Sequence, residues 1–226
     1  MGMQLVFDWS WLPRLSDGLI ITLQLTGACL AGGAALGLLL SLARVYVRGP
    51  VYWLASAYVQ FFRGTPLLVQ LMIIHFGLPT VGIRFEPFMS GLVAMALNTA
   101  AYQAEYFRGA IQSVRSGQTL AARSLGMSPL QTIRYIVLPQ ALRLVIPPWS
   151  NELVYMLKYS SIVYMIGVAD LMGVGRTMAA RSFRFLELFL VVALIYLAVV
   201  LILTIALRWV ERRIYVPGLT TTGRRD

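Results

Sequence analysis

The sequence predicts an all-α membrane protein: one polytopic bundle of about five transmembrane helices, with a polar two-helix hairpin projecting from it at residues 117–135. Three observations carry this. The chain is 58% hydrophobic and 12% charged, whereas a soluble domain carries about 25% charged residues. The apolar residues lie in long runs: 188–207 holds no charge and matches the ~20 residues that a helix needs to cross a bilayer core. These runs are too long for barrel strands, and barrel alternation is absent. Finally, the arginines divide unequally between the two ends of the proposed helices, as membrane topology requires.

The net charge of +10 follows that topology and does not call for a nucleic acid partner. Arg44, Arg48, Arg108, Arg115, Arg123, Arg134, Arg143, Arg208, Arg212, Arg213, Arg224 and Arg225 fall on one side. Arg14, Arg84, Arg176, Arg181 and Arg184 fall on the other. The positive-inside rule therefore puts the N-terminus outside and the C-terminus in the cytoplasm. Met1 to Leu15 lack a basic n-region and a small-residue cleavage site, so they read as an interfacial lead-in, not a signal peptide. Cys29 is the single cysteine and forms no internal disulfide.

The first span is expected from Leu19 to Leu42. Its Gly33 and Gly37 have the small-xxx-small spacing that lets helices approach closely. The second, Val51 to Phe76, is interrupted by Arg63-Gly64-Thr65-Pro66. The third, Phe88 to Phe107, carries Asn98, Thr99, Tyr102, Gln103 and Glu105. The fourth, Ile136 to Val168, contains Pro139, Pro147, Pro148, Asn151, Glu152 and Lys158, and the fifth runs from Phe185 to Leu207. All of this forms a single domain, 1–226, without linker or repeat.

Polar residues at membrane depth face a bundle interior or an aqueous path. The Gly64–Pro66 and Pro147-Pro148 breaks free backbone groups that must bond elsewhere, as in discontinuous transporter helices. These features point to a solute site lined by the second, third and fourth spans: Arg63, Gly64, Thr65, Pro66, Asn98, Tyr102, Asn151, Glu152, Tyr155 and Met156. The competing reading is structural, with Arg63 and Glu152 paired to each other or to polar neighbours. Glu105 is expected to pair with a nearby arginine, Lys158 to snorkel, and His75 to pack or sit at an interface, since it has no His or Cys partner for a metal.

Residues 117–139 hold the most specific signal. A short helical run ends at Gly126, where a left-handed C-cap favours glycine; Ser128-Pro129 then supplies an N-cap followed by proline at the first helical position. A compact polar hairpin between apolar spans is suited to a partner.

Lys158 is the only lysine and is not preceded by glycine, so the chain has no phosphate-binding P-loop. It also lacks a Gly-x-Ser-x-Gly elbow and a His-Glu-x-x-His pair. An enzyme is not expected, and ATP, if used, is hydrolysed on another chain.

The hairpin spacing resembles the EAA loop of bacterial ABC importer permeases: Ala121-Ala122, Gly126, nine residues, then Ile136-Val137-Leu138-Pro139. With Phe62-Arg63-Gly64-Thr65-Pro66, the run Asn98 to Ser113, and Leu138-Pro139-Gln140-Ala141-Leu142-Arg143, the chain resembles the polar amino acid branch of these permeases. These are type I importer transmembrane domains serving histidine, arginine, glutamine and glutamate systems. One departure is Leu120, where the loop's first letter calls for an acidic residue. The resemblance implies a second permease subunit, identical or homologous; two ATP-binding subunits carrying ATP and Mg; an extracytoplasmic amino-acid-binding protein; and a bacterial cytoplasmic (inner) membrane setting. It implies no cofactor or metal on this chain, and alternating access driven by ATPase closure. It casts Ala121, Ala122, Ser124, Leu125, Gly126 and Met127 as residues that transmit force to the ATPase.

Glu152 in a low-dielectric site favours a cation, a basic side chain or an α-ammonium, which inclines the reading to basic amino acids. Glutamate, aspartate or glutamine remain alternatives. From a different class, a proton-coupled secondary transporter would use Glu152 as the carrier, but would leave the hairpin without a purpose. A membrane scaffold would leave the mid-span polar residues unexplained.

Overall fold

The computed structural model describes residues 8–214, and every regular element among them is helical. Arg224 and Arg225 of the charge asymmetry, and the start of the interfacial lead-in, lie outside the described residues.

Helix α1, Trp11–Tyr46, is longer than the expected first span. At 1.5 Å per residue, its 36 residues extend about 54 Å, so it outruns a bilayer core of about 30 Å. It ends at extended Val47 before a positive-φ Gly49 and Pro50 at the start of α2, Pro50–Gly64. Thr65 is extended (φ −117°, ψ 144°) because the residue before a proline is pushed out of the helical region. Helix α3, Leu67–Met72, then starts in a new direction and continues through a π turn, Ile73–Gly77, and a 3-10 turn, Leu78–Val81. The axis changes by 105° at this elbow.

Helix α4 covers Pro87–Ser113, and α5, Ser116–Ser124, and α6, Pro129–Thr132, form the hairpin. A π turn at Ile133–Val137 leads into α7, Leu138–Leu144, and α8, Ile146–Tyr159. The expected fourth span is therefore segmented, and it ends in a 3-10 run, Ser160–Ile166. Helix α9, Leu171–Ser182, was not anticipated from the sequence. Its Gly173, Gly175 and Arg176 lower its hydropathy, yet Asp170 caps it by accepting from Gly173 N (3.0 Å) and Met172 N (3.3 Å). Helix α10 spans Phe185–Ile214.

Helices α1 and α10 are each long and apolar enough to cross a membrane alone. Two bent pairs, Pro50–Gly64 with Leu67–Val81 and Ile146–Ile166 with Leu171–Ser182, pass the same test jointly. Helix α4 has the length, 27 residues, but its polar positions lower its hydropathy. Helix α10 leaves Leu194, Leu201 and Ile205 exposed, as a lipid-facing helix does.

Helix α1 is the spine, with α4 along its side. One apolar cluster gathers at the N-terminal end of α1, where Leu15 meets Leu171, Leu188 and Val192 of α9 and α10. A second, around Leu25, Cys29, Leu71, Met95 and Met156, fills the middle. A third packs Leu38 and Leu42 with Phe107, Val137 and Ala141 at the opposite end. Near that end Glu105 pairs with both Arg44 and Arg108 (Nε–Oε2 3.0 Å). His75 bonds Ser90 through Nδ1 (2.9 Å), a packing role.

The α1–α4 contact depends on missing side chains. A Cβ at Gly37 would lie 2.9 Å from Ala100 O and 3.0 Å from Ala104 N, and one at Gly33 would lie 2.8 Å from Gln103 Nε2. The 33/37 spacing read in the sequence is thus the closest helix approach in the bundle's centre. Gly27 has nothing within 4 Å of such a Cβ. Gly37→Val should destabilise the protein by about 1–3 kcal/mol or more, while Gly27→Ala should leave it unchanged or slightly firmer. Thermal unfolding of both variants in detergent tests this; equal melting temperatures would contradict the packing argument.

Candidate functional site

The 105° elbow leaves backbone carbonyls without helical donors, and side-chain amides take their place. Gln70 Nε2 donates to Phe62 O (2.9 Å), Thr65 O (3.1 Å) and Thr65 Oγ1 (2.7 Å). Asn98 Nδ2 donates to Phe62 O (3.2 Å) and Gln70 Oε1 (3.0 Å). Tyr58 OH reaches Leu97 O at 2.8 Å, tying α2 to α4. The carbonyls of Phe62 and Thr65 at the break are therefore satisfied by side-chain donors.

Beside the elbow lies a cavity of ≈ 660 Å³, lined by Arg63, Gly64, Thr65, Pro66, Leu67, Leu68, Asn98, Tyr102, Tyr106, Glu152, Tyr155, Met156, Tyr159 and Ile162. Its volume is within the range of small-molecule sites. Three separated stretches of sequence converge here through α2–α3, α4 and α8. Of the residues proposed from sequence, Asn151 alone is missing from the wall. It is exposed, because Glu152 takes the inward position on α8 and a neighbour 100° round the helix turns away.

Glu152 is 3% exposed. Its Oε1 accepts from Thr99 Oγ1 (2.7 Å) and its Oε2 from Tyr106 OH (3.0 Å). The chain of bonds continues: Gln103 Nε2 donates to Thr99 Oγ1 (3.1 Å), and Trp149 Nε1 donates to Gln103 Oε1 (2.9 Å). Among the described residues no arginine or lysine pairs with Glu152.

Of the structural alternative, the Arg63–Glu152 pair does not form, but pairing with polar neighbours does: Glu152 bonds Thr99 and Tyr106. Arg63 faces Glu105 instead, at 3.9 Å, with its guanidinium 5.4 Å from the Tyr102 ring centre. Glu105 already binds two arginines, so Arg63 is held loosely, and its side chain is 45% exposed towards the cavity. Lys158 lies over the Tyr155 ring, 4.9 Å from its centre.

The arrangement is a largely apolar chamber with a buried carboxyl group on one wall and a loosely held guanidinium on another. It can hold a molecule carrying both charges. Asn98 has both amide protons committed to the elbow, so towards a ligand it offers only its oxygen. Among the described residues no group of three or more His, Cys, Asp or Glu is arranged for a metal ion.

Tyr106 and Tyr159 are wall residues that the sequence reading missed, although Asn98–Tyr102–Tyr106 and Glu152–Tyr155–Tyr159 follow helical spacing. Thr99 and Gln103, which orient Glu152 or support the residue that does, were visible only as polar residues in an apolar span, and Trp149, which bonds Gln103, was not singled out.

The hairpin has its own defined geometry. Gly126 has φ 80°. Met127 N donates to Ala122 O (3.1 Å) and Gly126 N to Arg123 O (3.0 Å), the paired bonds of a Schellman cap. Ser128 and Gln131 form a capping box, Gln131 N to Ser128 Oγ at 3.3 Å and Ser128 N to Gln131 Oε1 at 2.8 Å. Ala122 is buried, while Leu120, Leu125 and Leu130 are 69%, 83% and 74% exposed. Among the described residues no atom outside its immediate chain neighbours lies within 4 Å of a Cβ at Gly126. Within the chain, its requirement is therefore conformational: positive φ, not lack of space.

Residues 33–216 match the family model described as binding-protein-dependent transport system inner membrane component. The chain is 40% identical over 213 residues to the glutamine transport system permease protein GlnP of Escherichia coli (strain K12), covering 92% of this chain and 97% of that one. It is 38% identical over 204 residues to the arginine transport system permease protein ArtQ of Bacillus subtilis (strain 168), covering 90% and 93%. A crystal structure of an amino acid ABC transporter with histidines superposes with a TM-score of 0.85 at 38% identity, covering 92% of this chain and 99% of that one. An inward-facing structure of the MetNI methionine ABC transporter, at 21% identity, shares the fold with a TM-score of 0.78. With a family model matched over most of its length and relatives aligned nearly end to end, the chain belongs to the binding-protein-dependent transport system inner membrane components.

Proposed function

We propose that the chain is the membrane-crossing subunit of an ATP-driven amino acid importer, and that its solute carries a cationic group, most simply a basic side chain. The observation that carries the proposal is Glu152: a buried carboxyl group on the cavity wall, held by two hydroxyls and no counter-ion. A carboxylate in that setting gains more from an arriving cation than it would in water. Arg63, on the facing α2 segment, suits the α-carboxylate of the same molecule, and the oxygen of Asn98 suits an ammonium. The names of the relatives supply the amino acid class.

In this reading a second permease subunit, identical or homologous, completes the path. Two ATP-binding subunits carrying ATP and Mg dock on the hairpins, and an extracytoplasmic binding protein delivers the solute. The exposed Leu120, Leu125 and Leu130 give the hairpin an apolar contact where the family pattern calls for an acidic residue. ATP-dependent uptake in reconstituted vesicles separates this importer from a proton-coupled carrier.

Glu152→Gln keeps the shape and removes the charge. With the assembled transporter, stimulation of ATPase by arginine and lysine should fall about 30-fold or more, on the scale of an unpaired buried charge, while neutral polar amino acids are spared. A uniform loss across all amino acids would shift the assignment to the α-ammonium. Unchanged transport of every amino acid would make Glu152 a structural residue.

For the hairpin, Gly126→Val should insert normally but co-purify with far less ATP-binding subunit, whereas Gly126→Asn, which tolerates positive φ, should lose much less. Equal recovery of the complex from both variants would remove the force-transmitting role.

The proposed orientation puts the hairpin in the cytoplasm and the start of α1 outside. In a Cys29→Ala background, Ser116→Cys should resist an impermeant thiol reagent in intact cells and react after permeabilisation. Labelling of intact cells would reverse the topology.

A further inference from the structure

The positive-inside bias leaves few arginines at the end of the bundle that carries the N-terminus of α1: Arg14, Arg84, Arg176, Arg181 and Arg184. Three of these, Arg14, Arg176 and Arg181, line one cavity of ≈ 360 Å³ between the start of α1, the 3-10 run and α9. No aspartate or glutamate lines it, and among the described residues none of the three arginines has a carboxylate within salt-bridge distance. Arg176 lies over the Tyr164 ring, 5.4 Å from its centre, which fixes its guanidinium. Three like charges around one cavity repel each other, so an anion entering it gains from all three at once.

We propose that this cavity is a binding site for a phosphate group, with the phosphodiester headgroup of an anionic lipid as the source the surroundings favour. The chemistry and the position agree. Three exposed arginines lining one small space suit a tetrahedral group with several oxygens, whereas one carboxylate is satisfied by a single arginine fork. Trp9, 76% exposed, lies just before α1 and five residues from Arg14, and tryptophan gathers at headgroup depth. Val168, Val174 and Met178 give the same cavity an apolar part, as the glycerol and upper acyl chain of a lipid require. The site is separate from the solute cavity, with which it shares no lining residue.

The test uses the purified full-length transporter in detergent with four probes: phosphatidylglycerol, diacylglycerol as the same lipid without a phosphate, inorganic phosphate, and poly-glutamate. Retained lipid is read by native mass spectrometry, and the other probes by displacement of phosphatidylglycerol. Phosphatidylglycerol should be retained and diacylglycerol not. Each of Arg14→Gln, Arg176→Gln and Arg181→Gln should weaken retention about fivefold, with lysine at the same position restoring most of it. These single variants carry the test if the triple variant fails to accumulate. Displacement by millimolar inorganic phosphate would support free phosphate as an equal source of the same group. Equal retention of phosphatidylglycerol by wild type and variants, or binding of poly-glutamate with neither phosphate source, would overturn the proposal.

Discussion

The close approach of α1 to α4 at Gly33 and Gly37 governs more than packing. The face of α4 that meets Gly33 presents Thr99 and Gln103. Those two side chains begin the hydrogen-bond chain that orients Glu152, through Thr99 Oγ1 and on to Trp149. A side chain at position 33 would therefore push against the support of the cavity-lining carboxyl, not only against a neighbouring helix. Glycine here lets α4 lie against α1 on one side while displaying polar groups to α8 on the other.

Glu105 and Glu152 differ in their company. Glu105 sits among arginines from three helices, Arg44 of α1, Arg63 of α2 and Arg108 of its own helix. That concentration of charge ties the helix ends together, and its excess of cations leaves Arg63 loosely held. Glu152 has only hydroxyl partners. Burial costs a carboxylate dearly unless it is compensated; Glu105 is compensated by arginines, and Glu152, among the described residues, by hydroxyls alone. The same residue type serves two ends because the elements around it differ.

The fold class and much of the cavity wall were legible in the sequence for a physical reason. Lipid forces long apolar runs, so each polar exception at membrane depth signals an interior role. Arg63, Gly64, Thr65 and Pro66 were visible as a break, and Glu152 as a charge in the wrong solvent. The hairpin was equally visible because glycine at positive φ and Ser-Pro at a helix start are local rules. Partner choice was not. The Arg63–Glu152 alternative was plausible by position, but pairing depends on the lateral arrangement of α2, α4 and α8. Asn151 failed for a related reason, since proximity in sequence to Glu152 says nothing about which side of α8 faces inward. Helix α9 escaped notice because glycines and arginines mask a short amphipathic element whose burial depends on α1 and α10.

The elbow at Gly64–Pro66 resembles a flexible joint in sequence, with glycine and proline side by side. The amide side chains of Gln70 and Asn98 make it the opposite. They brace both arms of the bend against each other and against α4, like a gusset welded into a corner. Straightening it would break several of these hydrogen bonds at once. Any rearrangement that opens or closes the chamber must therefore carry this corner as a solid piece, and its geometry stays constant while its neighbours slide.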